Sequence, residues 1–266
     1  MTEANEAEPE LLELEDEGVL TLVLNRPDNL NALNTSLMRL LNDAVARAAN
    51  NPGVACVILT GAGRAFCAGG DMKASKAARE QAAEKLAEDA SKPSRQTSFQ
   101  ARAEWLRRST EAARLLHDMA KPTIAMINGA CAGAGLSLAG ACDIRIAGES
   151  AMLTSVFARA GLSGDYGGSW FWTRILGTAK ARELYLLCER IDARQALAAG
   201  MVSAVHDDAD LAAQVMALAR RFADGPRTAY GYMKRNLNAA ETGTLESLLD
   251  LEATHMLLSR EALSKR

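Results

Sequence analysis

Asp165 lies in FARAGLSGDYGGSWF, residues 157–171, between glycine-rich turns and ahead of an aromatic run. A carboxylate so placed can carry a proton between two carbons. It can also accept backbone N–H bonds at the start of the helix that SWFWTRIL predicts, as an N-cap or Asx turn. A helix N-terminus would make it a weaker base, unless burial among the aromatics pushes the other way. Two further stretches could supply the charge stabilisation that removing a proton from carbon requires. AFCAGGDMK, residues 65–73, and NGACAGAGLS, residues 128–137, each follow a strand-like run, and their glycines let backbone N–H groups approach a ligand. The second opens a helix, whose N-terminus carries partial positive charge. Amides from two turns could hold a developing enolate oxygen from two directions at about 2.7 to 3.1 Å. The same glycines could instead serve tight turns and close helix packing. Neither stretch matches G-x-G-x-x-G in a βαβ unit or a P-loop, so a nucleotide-phosphate reading is weak.

The elements that must position these residues are legible in outline. GVLTLVLN, residues 18–25, reads as a strand closed by the turn RPDN. A helix follows, with Leu37, Leu40, Leu41, Ala44, Val45 and Ala48 at helical spacing and Asn34 or Thr35 available as N-cap. VACVILT, residues 54–60, is almost continuously apolar and predicts a strand buried on both faces. Residues 74–120 change texture: an Ala, Glu, Lys and Arg-rich segment, a polar break, then a helix with Trp105, Leu106, Leu115, Leu116 and Met119. KPTIAMING, residues 121–129, resumes strand character, and a small-residue helix leads into a short strand over 143–147. That rhythm implies repeated ββα or βαβ units in an α/β fold. Beyond residue 167 the pattern is helical to the end, with Asp192 and Gly200 as caps of one segment.

Composition narrows the class. The 266 residues carry a net charge of −3, which argues against a nucleic-acid partner. No apolar run reaches about 18 residues, so no membrane span is expected. The five cysteines (Cys56, Cys67, Cys131, Cys142, Cys188) form no C-x-x-C pair, and His117, His206 and His255 do not cluster with them, so neither a metal site nor a disulfide framework is indicated. The acidic N-terminus lacks a secretory pattern, and a cytoplasmic location is the simplest expectation.

Taken in order, LNRPDNLNAL, GAGRAFCAGGDMK, KPTIAMINGACAGAGLSLAGACDIRIAG and AGLSGDYGGSW resemble the enoyl-CoA hydratase/isomerase family, or crotonase superfamily, over roughly residues 15–240. The resemblance implies a spiral of ββα repeats over residues 1–200, with 74–120 as a helical insertion covering the acyl end. It also implies a C-terminal helical region, residues 201–266, that trimerises, giving a homotrimer or a hexamer. The substrate would be an acyl-CoA thioester, with no cofactor beyond the coenzyme A that is part of it.

By motif position, the resemblance places the thioester oxygen on the backbone N–H groups of Gly70 and Ala134. The two glutamates that hydratases of the family use fall on Ser137 and Phe157, neither of which is an acid. Asp165 occupies a position where some members carry a catalytic Asp, and a single carboxylate suffices for isomerisation if the enolate is stabilised. Hydration by an unusual residue set, dehalogenation with Asp165 as nucleophile, and acyl-CoA binding without catalysis remain as alternatives. Dehalogenases of the family usually pair that Asp with a Trp and a His; here Phe157 replaces the Trp, and no His falls in the early motifs. Ser137 could bond substrate or simply a backbone carbonyl. Phe157, Trp105, Trp170 and Trp172 could line an acyl pocket or sit in the core. The backbone around Ala32, Ala65, Phe66 and Ala68, with Asp71, is where the family grips adenine and pantetheine, and Lys73 and Lys234 would meet coenzyme A phosphates.

Overall fold

The computed structural model describes residues 8–72 and 98–264. The chain begins with a hairpin, β1 (Leu11–Asp16) and β2 (Val19–Leu24), followed by α1 (Thr35–Asn50). Strand pairs then alternate with helices. β3 (Cys56–Gly61) and β4 (Ala65–Cys67) precede α2 (Phe99–Ser109) and α3 (Glu111–Asp118). β5 (Thr123–Ile127) and β6 (Ala130–Ala132) precede α4 (Ala134–Ala141). β7 (Ile144–Gly148) and β8 (Met152–Thr154) precede α5 (Gly168–Leu187).

In each of the three strand pairs after the hairpin the first strand joins a six-stranded sheet, ordered β1-β2-β3-β5-β7-β10, and the second joins a four-stranded sheet, ordered β4-β6-β8-β9, while both hairpin strands stay in the larger sheet. The repeats are therefore ββα units. Among the described residues only the β1–β2 and β8–β9 pairings are antiparallel. The larger sheet is covered on both faces, which is why VACVILT has no polar alternation. Val57 and Leu59 face a core built with Leu37, Leu41 and Val45 of α1 and with α4. Ile58, Ile124 and Ile146 face the other way, toward Leu211, Val215 and Ala219.

Those last residues belong to α7 (Leu211–Ala223), which follows β9 (Ile191–Asp192), α6 (Ala193–Ala198) and β10 (Ala204–His206). The helical pattern expected to run unbroken from residue 167 is thus interrupted by two strands. At two and three residues they are too short to show a period of two, and only pairing with Met152, Leu153 and residues 146–148 defines them. The stretch after residue 200, expected as a separate helical region, gives β10 and α7 to the core. It then continues as α8 (Arg227–Ala240) and α9 (Leu245–Ser264).

The caps follow their chemistry. Asn34 accepts the Leu37 N–H at 2.7 Å, and Asp192 forms a capping box with Gln195. α4 is buried along its whole length, as a helix apolar on every side must be. Its small residues admit Trp172, whose indole N–H donates to the Leu136 carbonyl at 3.2 Å. Among the described residues no helix is long and apolar enough to cross a membrane.

Candidate active site

The two glycine turns leave the smaller sheet side by side. Gly69 has φ +99° and Gly133 has φ +54°, backbone regions that L side chains rarely adopt. A Cβ on Gly69 would lie 3.4 Å from the Ala134 nitrogen, and one on Gly133 would lie 3.7 Å from the Gly69 Cα, so the turns are in van der Waals contact. Gly70 is held by its neighbours: Leu33 N–H donates to Gly69 O at 2.8 Å, and Asp71 N–H donates to Leu33 O at 3.0 Å. This parallel bridge, Leu33 to Gly70, is made through Gly69 O and Asp71 N, so it leaves the Gly70 N–H unused, and a Cβ on Gly70 would meet nothing within 4 Å. Ala134 is the first residue of α4, so its N–H has no intrahelical acceptor. Neither N–H finds an acceptor among the described residues. Two unpaired donors on touching turns can together bind an oxygen bearing negative charge.

Asp165 stands in a strained loop beside them. Gly164, Tyr166 and Gly167 all have positive φ, at +104°, +53° and +70°, and for Tyr166 that conformation costs on the order of 1 kcal/mol or more. The Asp165 carbonyl accepts the Gly168 N–H at 3.1 Å and so closes the turn. The carboxylate does not cap α5, whose N-cap is Gly167. Its Oδ1 is buried and has no partner among the described residues. Burial pushes the acid up to about 6. Contact places the loop against α4: a Cβ on Gly168, three residues on, would collide with Ser137 Oγ in the first turn of that helix. Tyr166 ties the loop to the end of α2, within the expected 74–120 insertion, donating its hydroxyl to Ser109 O at 3.3 Å.

The other sequence candidates divide by position. Phe157 is buried and stacks on Tyr185 at 5.9 Å between ring centroids. It follows Val156, a β-branched residue held at φ +52° against Gly133. Ser137 is fully buried on α4 and donates to Gly133 O at 3.3 Å, the backbone bond common for Ser within a helix. Trp172 is core, Trp170 lies half-buried under the Arg174 guanidinium, and Trp105 is half-exposed. His117 packs against Trp170 and Phe171, and His255 stacks on Tyr232.

On the expected coenzyme A side, Ala65 and Phe66 form buried β4, and the Ala68 N–H donates to Leu30 O at 2.9 Å. Asp71 pairs with Arg26 at 2.9 Å, and Arg26 also bonds Ala32 O and pairs with Glu10. Asp71 and Arg26 thereby clamp the loop carrying Ala32. Lys73 lies outside the described residues. Lys234 is redirected: its ammonium donates to Leu116 O, Lys121 O and the Asp143 carboxylate at 2.7 to 3.1 Å, and the residue is 6% exposed. Three donors on three internal acceptors leave none for a phosphate.

Two residues that sequence reasoning passed over shape the site. Asn31, fully buried at φ +57°, accepts from Arg26 N–H and donates to Ala62 O and Ala65 O, stapling the loop to the β3–β4 turn. Tyr185 brings its hydroxyl to the start of α5, where a Cβ on Gly168 would collide with both Tyr185 Oη and Ser137 Oγ. A straight helix rising about 1.5 Å per residue would hold residues 168 and 185 about 25 Å apart. They meet because α5 breaks at Gly177, with φ 75° and ψ 165°. A Tyr at helical spacing carries no signal of this; the glycine between two amphipathic segments was the available clue.

A cavity of about 280 Å³ lies elsewhere, lined by Lys121, Arg227, Tyr232 and Arg235 near the N-terminal ends of β3 and β5. The glycine turns follow the opposite ends of the strands. Its Lys121 bonds the α1 carbonyls of Ala48 and, just beyond, Asn51, and Arg227 donates to Ala223 O, so these groups serve the fold.

The pattern described as enoyl-CoA hydratase/isomerase matches residues 15–261, nearly the whole chain. The chain belongs to the enoyl-CoA hydratase/isomerase family. It is 36% identical over 244 residues to the 1,2-epoxyphenylacetyl-CoA isomerase of Escherichia coli K12, covering 92% of this chain and 87% of that one. It is 28% identical to 4-chlorobenzoyl coenzyme A dehalogenase-2 of an Arthrobacter species, over 91% of this chain and 83% of that one. Among solved structures, an enoyl-CoA hydratase from Polaromonas sp. JS666 superposes with a TM-score of 0.81 at 30% identity, covering 93% and 90% of the two chains. This is a crotonase-type enzyme fold. Three differently named activities on one family fold mean that the reaction must be argued from the side chains around the two glycine turns.

Proposed function

We propose that this enzyme isomerises an acyl-CoA thioester, with Asp165 as its proton carrier. The observation that carries the reading is the Asp165 carboxylate, raised to about 6, whose buried Oδ1 has no partner among the described residues, in the same part of the fold as two turns whose Gly70 and Ala134 N–H groups find no acceptor there. The Asp165 carboxylate takes a proton from one carbon of the acyl group. The electron pair left behind moves onto the thioester oxygen, which the two amides hold as an enolate. Asp165 then returns the proton to a different carbon, and the thioester carbonyl re-forms. An acid near 6 suits both halves: it is mostly ionised at neutral pH, yet more basic than an ordinary Asp.

Hydration is disfavoured because Ser137 and Phe157 put no second acid beside Asp165, and adding water needs one group to take a proton and another to deliver one. The similarity to the E. coli isomerase supports the same reading. Acyl-CoA remains the proposed ligand class, and exposed Met233, Leu237, Leu249, Met256, Leu257 and Leu263 along α8 and α9 support the expectation of a trimer or hexamer. The deciding experiment incubates the enzyme with a panel of aliphatic and aromatic acyl-CoAs and follows mass and ultraviolet spectrum. Isomerisation changes the spectrum at constant mass; a gain of one water on a 2-enoyl-CoA would replace it with a hydratase.

A further inference from the structure

We infer that the Tyr185 hydroxyl donates a hydrogen bond to an oxygen carried on the acyl group, making this a site for oxygenated acyl-CoAs. The inference rests on the acyl site proposed above, though not on the reaction assigned to Asp165. Tyr185 Oη is buried and has no hydrogen-bond partner among the described residues. Its ring is fixed by Phe157 on one side, and a Cβ on Gly164, the residue before Asp165, would come within 3.3 Å of it. The hydroxyl is therefore not free to swing away and find water. Ser137 Oγ is close enough to ease loss of the phenol proton, but the two oxygens do not reach hydrogen-bond geometry, and Ser137 is turned to Gly133 O.

The phenol stays protonated. Burial and the Asp165 charge push it up to about 12, so at neutral pH it offers a donor and not a base. Asp165 does not accept that donor, since Tyr185 Oη bonds no group among the described residues. An unpaired buried hydroxyl destabilises a fold, and a Phe would fill the same space without that cost. Here the hydroxyl is carried to the first turn of α5 by a chain break at Gly177, in a conformation open essentially to glycine alone. The hydroxyl is left without a hydrogen bond among the described residues, and it is left so beside Asp165 and Phe157, where the acyl group is proposed to lie. A site with a fixed buried donor favours a ligand that pairs it and rejects the analogue that does not.

The test is calorimetric binding of hexanoyl-CoA and of its 3-, 4-, 5- and 6-hydroxy derivatives to the full-length wild type, to Tyr185→Phe and to Asp165→Asn. The expected result is that at least one hydroxy derivative binds the wild type roughly three- to tenfold more tightly than hexanoyl-CoA. Tyr185→Phe should erase that preference while keeping the affinity for hexanoyl-CoA and a melting temperature equal or higher. Absence of any preference in the wild type, its survival in Tyr185→Phe, or an equal loss for all ligands with a lowered melting temperature would each overturn the inference. Asp165→Asn should keep the preference, so a failed proton-carrier reading leaves this result standing, and the reverse holds too.

Discussion

Replacing Asp165 by Asn should make the protein more stable at alkaline pH and leave it unchanged near pH 4. In the folded chain the acid is raised from 3.8 to about 6 because burial disfavours its ionised form. Below 3.8 the group is protonated in folded and unfolded chains alike and contributes nothing. Between 3.8 and about 6 the folded chain holds the proton that the unfolded chain releases, so stability falls as pH rises, and the full penalty stands above about 6. At about 1.36 kcal/mol per pKa unit the shift corresponds to about 3 kcal/mol. The side chain is not wholly enclosed and the Asn amide inherits part of the unmet hydrogen bonding, so about 2 kcal/mol is expected to be recovered. Thermal unfolding of wild type and variant at pH 4, 6 and 8 measures it, with the curves separating by several degrees at pH 8 and converging at pH 4. A separation that does not change with pH, or a wild type more stable at pH 8, would refute the claim that Asp165 is held in a desolvated site.

Lys234→Met should cost about 2 to 3 kcal/mol by stranding the Asp143 carboxylate, measured by urea unfolding, yet leave unchanged the ratio of affinities for coenzyme A and its 3′-dephospho form. Gly168→Ala should cost about 1 to 3 kcal/mol and abolish turnover, because the added methyl collides with Tyr185 Oη and Ser137 Oγ; melting temperature and activity together check it. Gly177→Ala meets no neighbour within 4 Å and should still cost about 1 to 3 kcal/mol in the same unfolding assay, since only the backbone conformation is strained.

Strands β2, β3, β5 and β7, and helix α1 with its Asn34 cap, were legible because their signals are local: alternation, continuous apolar runs, and a side chain that bonds a backbone N–H three residues on. The α/β class and the ββα rhythm followed from their order. β9 and β10 were not, because their existence depends on partners more than 35 residues away. At the site, the glycine turns were visible as glycines, but their contact belongs to the sheet that sets β4 beside β6. Whether Asp165 capped the helix or faced the site could not be decided from spacing, since both readings need the same residue in the same place. Lys234 misled because a basic residue on an amphipathic helix does not announce that Asp143, ninety-one positions earlier, will claim it. Tyr185 was hidden for the same reason, its meaning created by a break at Gly177 that returns one end of a helix to the other.

The central claim is that Asp165 moves the proton. Its most direct measurement follows deuterium from heavy water into an acyl-CoA that the wild type turns over, alongside Asp165→Asn. Incorporation by the wild type should rise with pH as the acid ionises through about 6, and should be lost in the variant with coenzyme A affinity intact. Incorporation persisting in Asp165→Asn at the wild-type rate would contradict it.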